Sequence, residues 1–196
     1  YFWGLKVARS EASSPDAAVL AADGASKTDT VAAAAQDPEI EGEKTELTTH
    51  LVGTVVPLAE VKDATFASGA LGYGTAVEPT EGKLLAPADG KITVAFPTGH
   101  AYGMRTEDGL DLLMHIGMDT VELDGKHFTP KVAKGDTVKR GDIPAIKDAG
   151  YVLVTPLVIT NAKKLTTAVR DAQTSGASVA AGDNLLQVGL KEKTSA

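Results

Sequence analysis

From Thr48 onward, short apolar runs alternate with Gly and Pro turn signals about every ten residues, and this rhythm constrains the fold more than any other feature. The runs at 51–57, 74–79, 83–87, 90–96, 101–106, 110–117, 152–160 and 185–190 have the length of strands, and Ala88-Asp89-Gly90 reads as a turn between two of them. The segment 134–142 repeats Lys/Arg-Gly-Asp around Thr137-Val138 and reads as turn, strand, turn. Helix is scarce. The best candidate is 161–173, with Asn161 as its cap and Leu165 and Val169 spaced by four. The expectation is an all-β chain, a sandwich or barrel with one short helix.

The chain of 196 residues is long enough for one domain with its own core and a tail. Aromatics are only 5% and glycines number 20, so the core is aliphatic and turns are many. The absence of cysteine excludes disulfides, thiolate nucleophiles and cysteine-built zinc sites. A net charge of -7 without a long basic run argues against a nucleic-acid partner. No uninterrupted apolar stretch reaches the roughly 18 residues needed to span a bilayer.

The N-terminal quarter differs from the rest. Residues 1–48 hold nine acidic and four basic side chains and are rich in Ala, Ser, Thr and Asp. Such a segment cannot bury enough surface to offset its ordering entropy, so 1–46 is expected to be a membrane-proximal stub followed by a disordered acidic linker. The stub is Tyr1-Phe2-Trp3-Gly4-Leu5-Lys6, aromatics followed by a cation, as found where a membrane helix leaves the bilayer on its cytoplasmic side. The folded domain is expected at 47–192, with a tail at 193–196.

The chemistry has few candidates. The four histidines are His50, His100, His115 and His127. On a strand, His115 shares a face with Leu113, Gly117 and Asp119, while Leu112, Met114 and Ile116 point the other way. His100 follows Phe96-Pro97-Thr98-Gly99, and a hairpin pairing of the two strands would bring both rings together. Paired imidazoles suit metal ligation, which needs a third protein ligand, or nucleophilic attack on phosphorus, with one neutral ring attacking and the other donating to phosphoryl oxygens. A zinc hydrolase usually also carries a His-x-His pair, which this chain lacks.

Gly109-Leu110-Asp111-Leu112-Leu113-Met114-His115-Ile116-Gly117-Met118-Asp119-Thr120-Val121 resembles the phosphorylation-site signature of the glucose-type enzyme IIA domain of the bacterial phosphoenolpyruvate-dependent sugar phosphotransferase system. Phe96-Pro97-Thr98-Gly99-His100-Ala101 is similar to the segment carrying that family's second active-site histidine. Glu78-Pro79-Thr80, Leu85-Ala86-Pro87-Ala88-Asp89-Gly90 and Thr155-Pro156-Leu157-Val158-Ile159-Thr160-Asn161 match its other strands, so the likeness covers roughly 47–192. Ala149-Gly150-Tyr151 resembles the β-glucoside and sucrose branch.

The resemblance implies an antiparallel β-sandwich closing into a barrel-like hybrid, and a phosphoryl carrier that uses neither metal nor other cofactor. His115 would accept the phosphoryl group from the phosphocarrier protein HPr and pass it to a cysteine of an enzyme IIB domain. His100 would hold the phosphoryl oxygens, Thr98 would hydrogen-bond within the histidine pair, and the Gly117 carbonyl would fix the His115 tautomer. Phe66, Leu71, Phe96, Leu113 and Val121 match an apolar collar that docks both partners, and Asp63 and Asp119 match acidic positions facing an arginine-bearing donor. The domain would be tethered to a membrane permease on the cytoplasmic face, with a reach of roughly 35–40 Å for a linker of about 45 residues. A regulatory role through the same collar is the second implication.

Three departures stand out. Gly99 replaces a side-chain amide, and Tyr73 replaces a small or acidic turn residue. Relatives carry about six more residues, an apolar strand and an acid, where Asp142 here runs straight into Ile143-Pro144, so a sheet is expected to lose a member or gain an open edge.

Overall fold

A computed structural model describes residues 40, 42–142, 145–147 and 154–192. Nearly all of the linker expected at 1–46, and the tail at 193–196, lie outside the described residues. The regular secondary structure of the described residues is mostly antiparallel β-sheet. In order it runs β1 (Lys44–Thr48), β2 (Gly53–Val56), a 3-10 turn (Leu58–Glu60), α1 (Ala64–Ala67), β3 (Tyr73–Pro79), β4 (Lys83–Leu84), β5 (Gly90–Ala95) and β6 (Ala101–Thr106). Then come β7 (Asp111–His115), a second 3-10 turn (Thr120–Leu123), β8 (Phe128–Pro130), β9 (Thr137–Val138), β10 (Ala145–Lys147), β11 (Thr155–Ile159), α2 (Ala162–Leu165), β12 (Thr166–Asp171), β13 (Ser178–Val179) and β14 (Asn184–Leu190).

Among the described residues the strands form three sheets, in the orders β13-β2-β3-β11-β7-β6-β5-β9, β1-β14-β12 and β4-β10-β8. None closes on itself, so the barrel-like closure is not seen. The large sheet has apolar side chains on both faces. Leu112, Met114, Leu157 and Ile159 join the main core, while Ala76, Val158 and Phe66 form a second cluster beneath α1. That double cover is why β11, between β3 and β7, is buried along its whole length.

The helix expected at 161–173 shrinks to the four residues of α2. Thr166, Thr167 and Val169 are β-branched and stiff at χ1, and from Thr166 the chain pairs with β14 instead. Leu165 and Val169 still pack against the main core, but from two different elements. Among the described residues there are thus two short α-helices where one was expected. The strand expected to be lost near Asp142 is replaced: β10 lies between β4 and β8, with Ala145 opposite both Leu84 and Pro130. Three residues fill the slot, so that sheet keeps its middle member.

Candidate functional site

β6 and β7 pair with Ala101 opposite His115, and the Ile116 amide donates to the His100 carbonyl at 2.7 Å. Because residues 101 and 115 face each other across a hairpin, the histidine next to Ala101 comes up beside His115. The two ring centroids are 5.2 Å apart, at an interplanar angle of 72°. His115 is half-buried at the end of β7, and His100 is almost wholly buried.

Each ring is held by a hydrogen bond to its own neighbourhood. His115 Nδ1 lies 2.6 Å from the Gly117 carbonyl oxygen. A carbonyl only accepts, so Nδ1 carries the proton and a neutral His115 keeps its lone pair on Nε2. Gly117 reaches this position with φ at 72°, in the left-handed region. His100 Nδ1 lies 2.5 Å from the Thr98 hydroxyl. Burial, and then the neighbouring His115, hold the His100 pKa below the usual histidine value, which keeps that ring neutral.

Gly99 is explained by its surroundings. Its φ is +69°, and an added Cβ would stand 3.0 Å from the Phe128 Cβ and 3.1 Å from the Pro130 ring. A side chain there needs the β8 segment to move away, whereas this chain packs Phe128 and Pro130 against the bare backbone.

The expected apolar collar divides into two parts. Phe66 is buried and meets the His115 ring at 5.5 Å between centroids, with Leu71 and Leu113 packed in the same cluster. Phe96 lies 5.1 Å from the His100 ring and remains 44% exposed. Val121 is 55% exposed on the 3-10 turn after β7. Val94, also exposed and two residues before Phe96, was not singled out by the sequence, because an isolated valine in a strand carries no signal of its own. Tyr73 is likewise exposed, at the start of β3.

The two acids expected to face a partner differ in their surroundings. Asp63 is the N-cap of α1: its Oδ1 accepts from the Thr65 and Phe66 amides at 2.8 and 3.1 Å. Asp63 therefore orders the turn that presents Phe66 to His115. Asp119 is exposed, with φ at 55°, at the start of the second 3-10 turn. The other two histidines differ in burial. His50 is buried in the core with Nε2 donating to the Thr155 carbonyl at 2.8 Å, and His127 is exposed after the second 3-10 turn. Among the described residues no three His, Cys, Asp or Glu side chains converge as a metal cluster would require. No helix among them is long and apolar enough to cross a membrane.

One hydrogen bond beside the site is not legible in the sequence. The Thr120 hydroxyl donates to the Ile116 carbonyl at 2.6 Å, and the Ile116 backbone joins the two histidine segments. Thr120 stood inside the quoted signature, but a threonine after Asp reads equally well as an ordinary turn residue.

Comparison with known proteins gives a consistent result. Residues 45–165 match the family model described as phosphoenolpyruvate-dependent sugar phosphotransferase system, EIIA 1. The chain is 46% identical over 154 residues to a PTS system beta-glucoside-specific EIIBCA component of Halalkalibacterium halodurans, covering 75% of this chain and 24% of that protein. It is 43% identical over 118 residues to a glucose-specific EIIA component of Staphylococcus epidermidis, covering 57% of this chain and 70% of that protein. The solved structure of glucose permease IIA from Mycoplasma capricolum superposes with a TM-score of 0.65 at 33% identity, covering 74% of this chain and 96% of that one. The chain thus spans about a quarter of the length of the EIIBCA relative.

Proposed function

Because the chain belongs to the EIIA 1 family of the phosphoenolpyruvate-dependent sugar phosphotransferase system, we propose that it carries phosphoryl groups from HPr to an enzyme IIB domain through His115. The observation that carries this reading is the orientation of the histidine pair: His115 with Nδ1 bound to the Gly117 carbonyl, and His100 edge-on beside it.

The chemistry follows from that arrangement. The Nε2 lone pair of His115 attacks phosphorus of the donor phosphohistidine; the new Nε2–P bond forms as the donor N–P bond breaks, and the donor ring leaves with the electron pair. The Nδ1 proton stays on His115, where the Gly117 carbonyl offsets the positive charge of the phosphorylated ring. If the Thr98 hydroxyl donates to His100 Nδ1, the His100 proton sits on Nε2, ready to donate to a phosphoryl oxygen. In the second half-reaction a cysteine thiolate attacks phosphorus, and the Nε2–P bond breaks. Positioning and electrostatics supply the catalysis, as is general for phosphoryl transfer.

The exposed Phe96 and Val121, with the half-buried Leu71 and Leu113 and the buried Phe66, provide an apolar rim for docking both partners in turn, with Asp119 at its edge. The EIIBCA architecture of the relative supports an enzyme IIB domain and a membrane permease in the same parent polypeptide, with residues 1–46 as the tether and the domain on the cytoplasmic face. Such a tether raises the effective concentration of the two domains for each other.

The test is reconstitution. Phosphoenolpyruvate, enzyme I, HPr and a purified EIIB domain are mixed with and without the chain, and the EIIB cysteine is read by mass. Phosphoryl transfer to that cysteine only when the chain is present supports the proposal. A folded wild-type chain that delivers nothing overturns it.

A further inference from the structure

The two peptide groups on either side of the Ile116 Cα are each held by one hydrogen bond. The Ile116 amide donates to the His100 carbonyl at 2.7 Å, and the Ile116 carbonyl accepts the Thr120 hydroxyl at 2.6 Å. Between Ile116 and Thr120 the chain makes an unfavourable turn. Gly117 has φ at 72°, and Asp119, which has a Cβ, has φ at 55°. A non-glycine residue in that region costs of order 1 kcal/mol and persists only where its surroundings hold it. Thr120 is 2% exposed, and its hydroxyl spans the turn.

We propose that Thr120 is a positioning residue for phosphoryl transfer: by tying down the Ile116 carbonyl, it sets the turn that aims the Gly117 carbonyl at His115 Nδ1 and so keeps the Nε2 lone pair available. The orientation of one peptide plane fixes the starting point of the next. With the plane before Gly117 held at the Ile116 C=O, and the plane before that held at the Ile116 N–H, the Gly117 carbonyl direction depends chiefly on the glycine's own two dihedrals. Releasing the Ile116 carbonyl lets the turn relax toward ordinary backbone angles, and the Gly117 carbonyl swings off Nδ1. The free ring then divides between two tautomers, only one of which has its lone pair on Nε2. The kinetic consequence rests on His115 as phosphoryl acceptor; the geometric claim does not.

A space-filling role for Thr120 would be served equally well by valine, which has the same shape and no hydroxyl. The test therefore compares wild type with Thr120→Val and Thr120→Ser. The readout is the nitrogen chemical shifts of the His115 ring in the unphosphorylated protein, at a pH where the ring is neutral. Wild type and Thr120→Ser are expected to show one tautomer, protonated at Nδ1. Thr120→Val is expected to show a mixture and to accept phosphoryl from HPr about three- to tenfold more slowly, the worth of one hydrogen bond. A Thr120→Val protein with the wild-type ring shifts and rate overturns the proposal. So does a wild-type ring protonated at Nε2, which needs no variant to observe. If Thr120→Val does not fold, Thr120→Ala, which also lacks the hydroxyl, carries the same expectation. A wild-type protein with the expected tautomer that takes no phosphoryl group would count against the carrier reading and leave the geometric claim standing.

Discussion

The Gly117 carbonyl oxygen stands 2.6 Å from His115 Nδ1, so the backbone two residues downstream decides which nitrogen of the histidine is nucleophilic. The site is therefore built as much from main chain as from side chains. It depends on two left-handed residues after β7, Gly117 and Asp119, and on a hairpin register that places Ala101 opposite His115.

Thr98 has the corresponding task for His100. Replacing it with valine removes the hydroxyl partner of Nδ1 and, where that hydroxyl is the donor, the preference of His100 for a proton on Nε2. Thr98→Val is expected still to accept phosphoryl but to deliver it to the EIIB cysteine roughly tenfold more slowly, about 1.4 kcal/mol, with Thr98→Ser close to wild type. Single-turnover transfer from the phosphorylated chain checks this. Equal rates for all three proteins would remove Thr98 from the mechanism.

Asp63 can be tested for its two roles separately. As N-cap of α1 it is worth about 1 kcal/mol, which Asn or Ser retains and Ala loses. Urea unfolding is expected to rank Asp63→Ser near wild type and Asp63→Ala below it. Phosphoryl transfer from HPr adds the second reading. If the cap is what matters, Asp63→Ser keeps the wild-type KM; if the charge faces an arginine of the donor, Asp63→Ser raises KM without lowering stability.

His50 makes stability depend on pH. Burial lowers its pKa from 6.5 to about 4, so the folded state resists a proton that the unfolded chain accepts. Its contribution is full above about pH 6.5 and is lost progressively as pH falls from there toward 4. The size is about 3 kcal/mol at most. Unfolding midpoints measured at pH 7.5 and pH 5 should fall with acid in wild type and less steeply in His50→Leu. A parallel decline in both proteins would assign the acid sensitivity to other groups.

The strand rhythm is readable because apolar runs of strand length are bounded by Gly and Pro turns. β3, β5, β6, β7, β11 and β14 all lie within the runs marked in the sequence or within a residue of them. The error at 161–173 has a clear cause: Leu165 and Val169 at helical spacing look the same when one ends a helix and the other sits in a strand. The replacement strand at Ala145–Lys147 was not readable, because it depends on an empty slot between β4 and β8 that only the assembled sheet defines. The histidine pair was readable from its motifs, whereas the Asp63 cap and the Thr120 hydroxyl bond follow from backbone geometry that spacing alone does not encode.

His115 Nε2 as the acceptor of the phosphoryl group can be tested directly. The direct measurement is intact mass of the chain after incubation with phosphoenolpyruvate, enzyme I and HPr, followed by nitrogen and phosphorus NMR of the product. One acid-labile phosphoryl group is expected, bonded to His115 Nε2 and absent from His115→Ala. No adduct on folded wild type, or an adduct on another residue or on Nδ1, would contradict it.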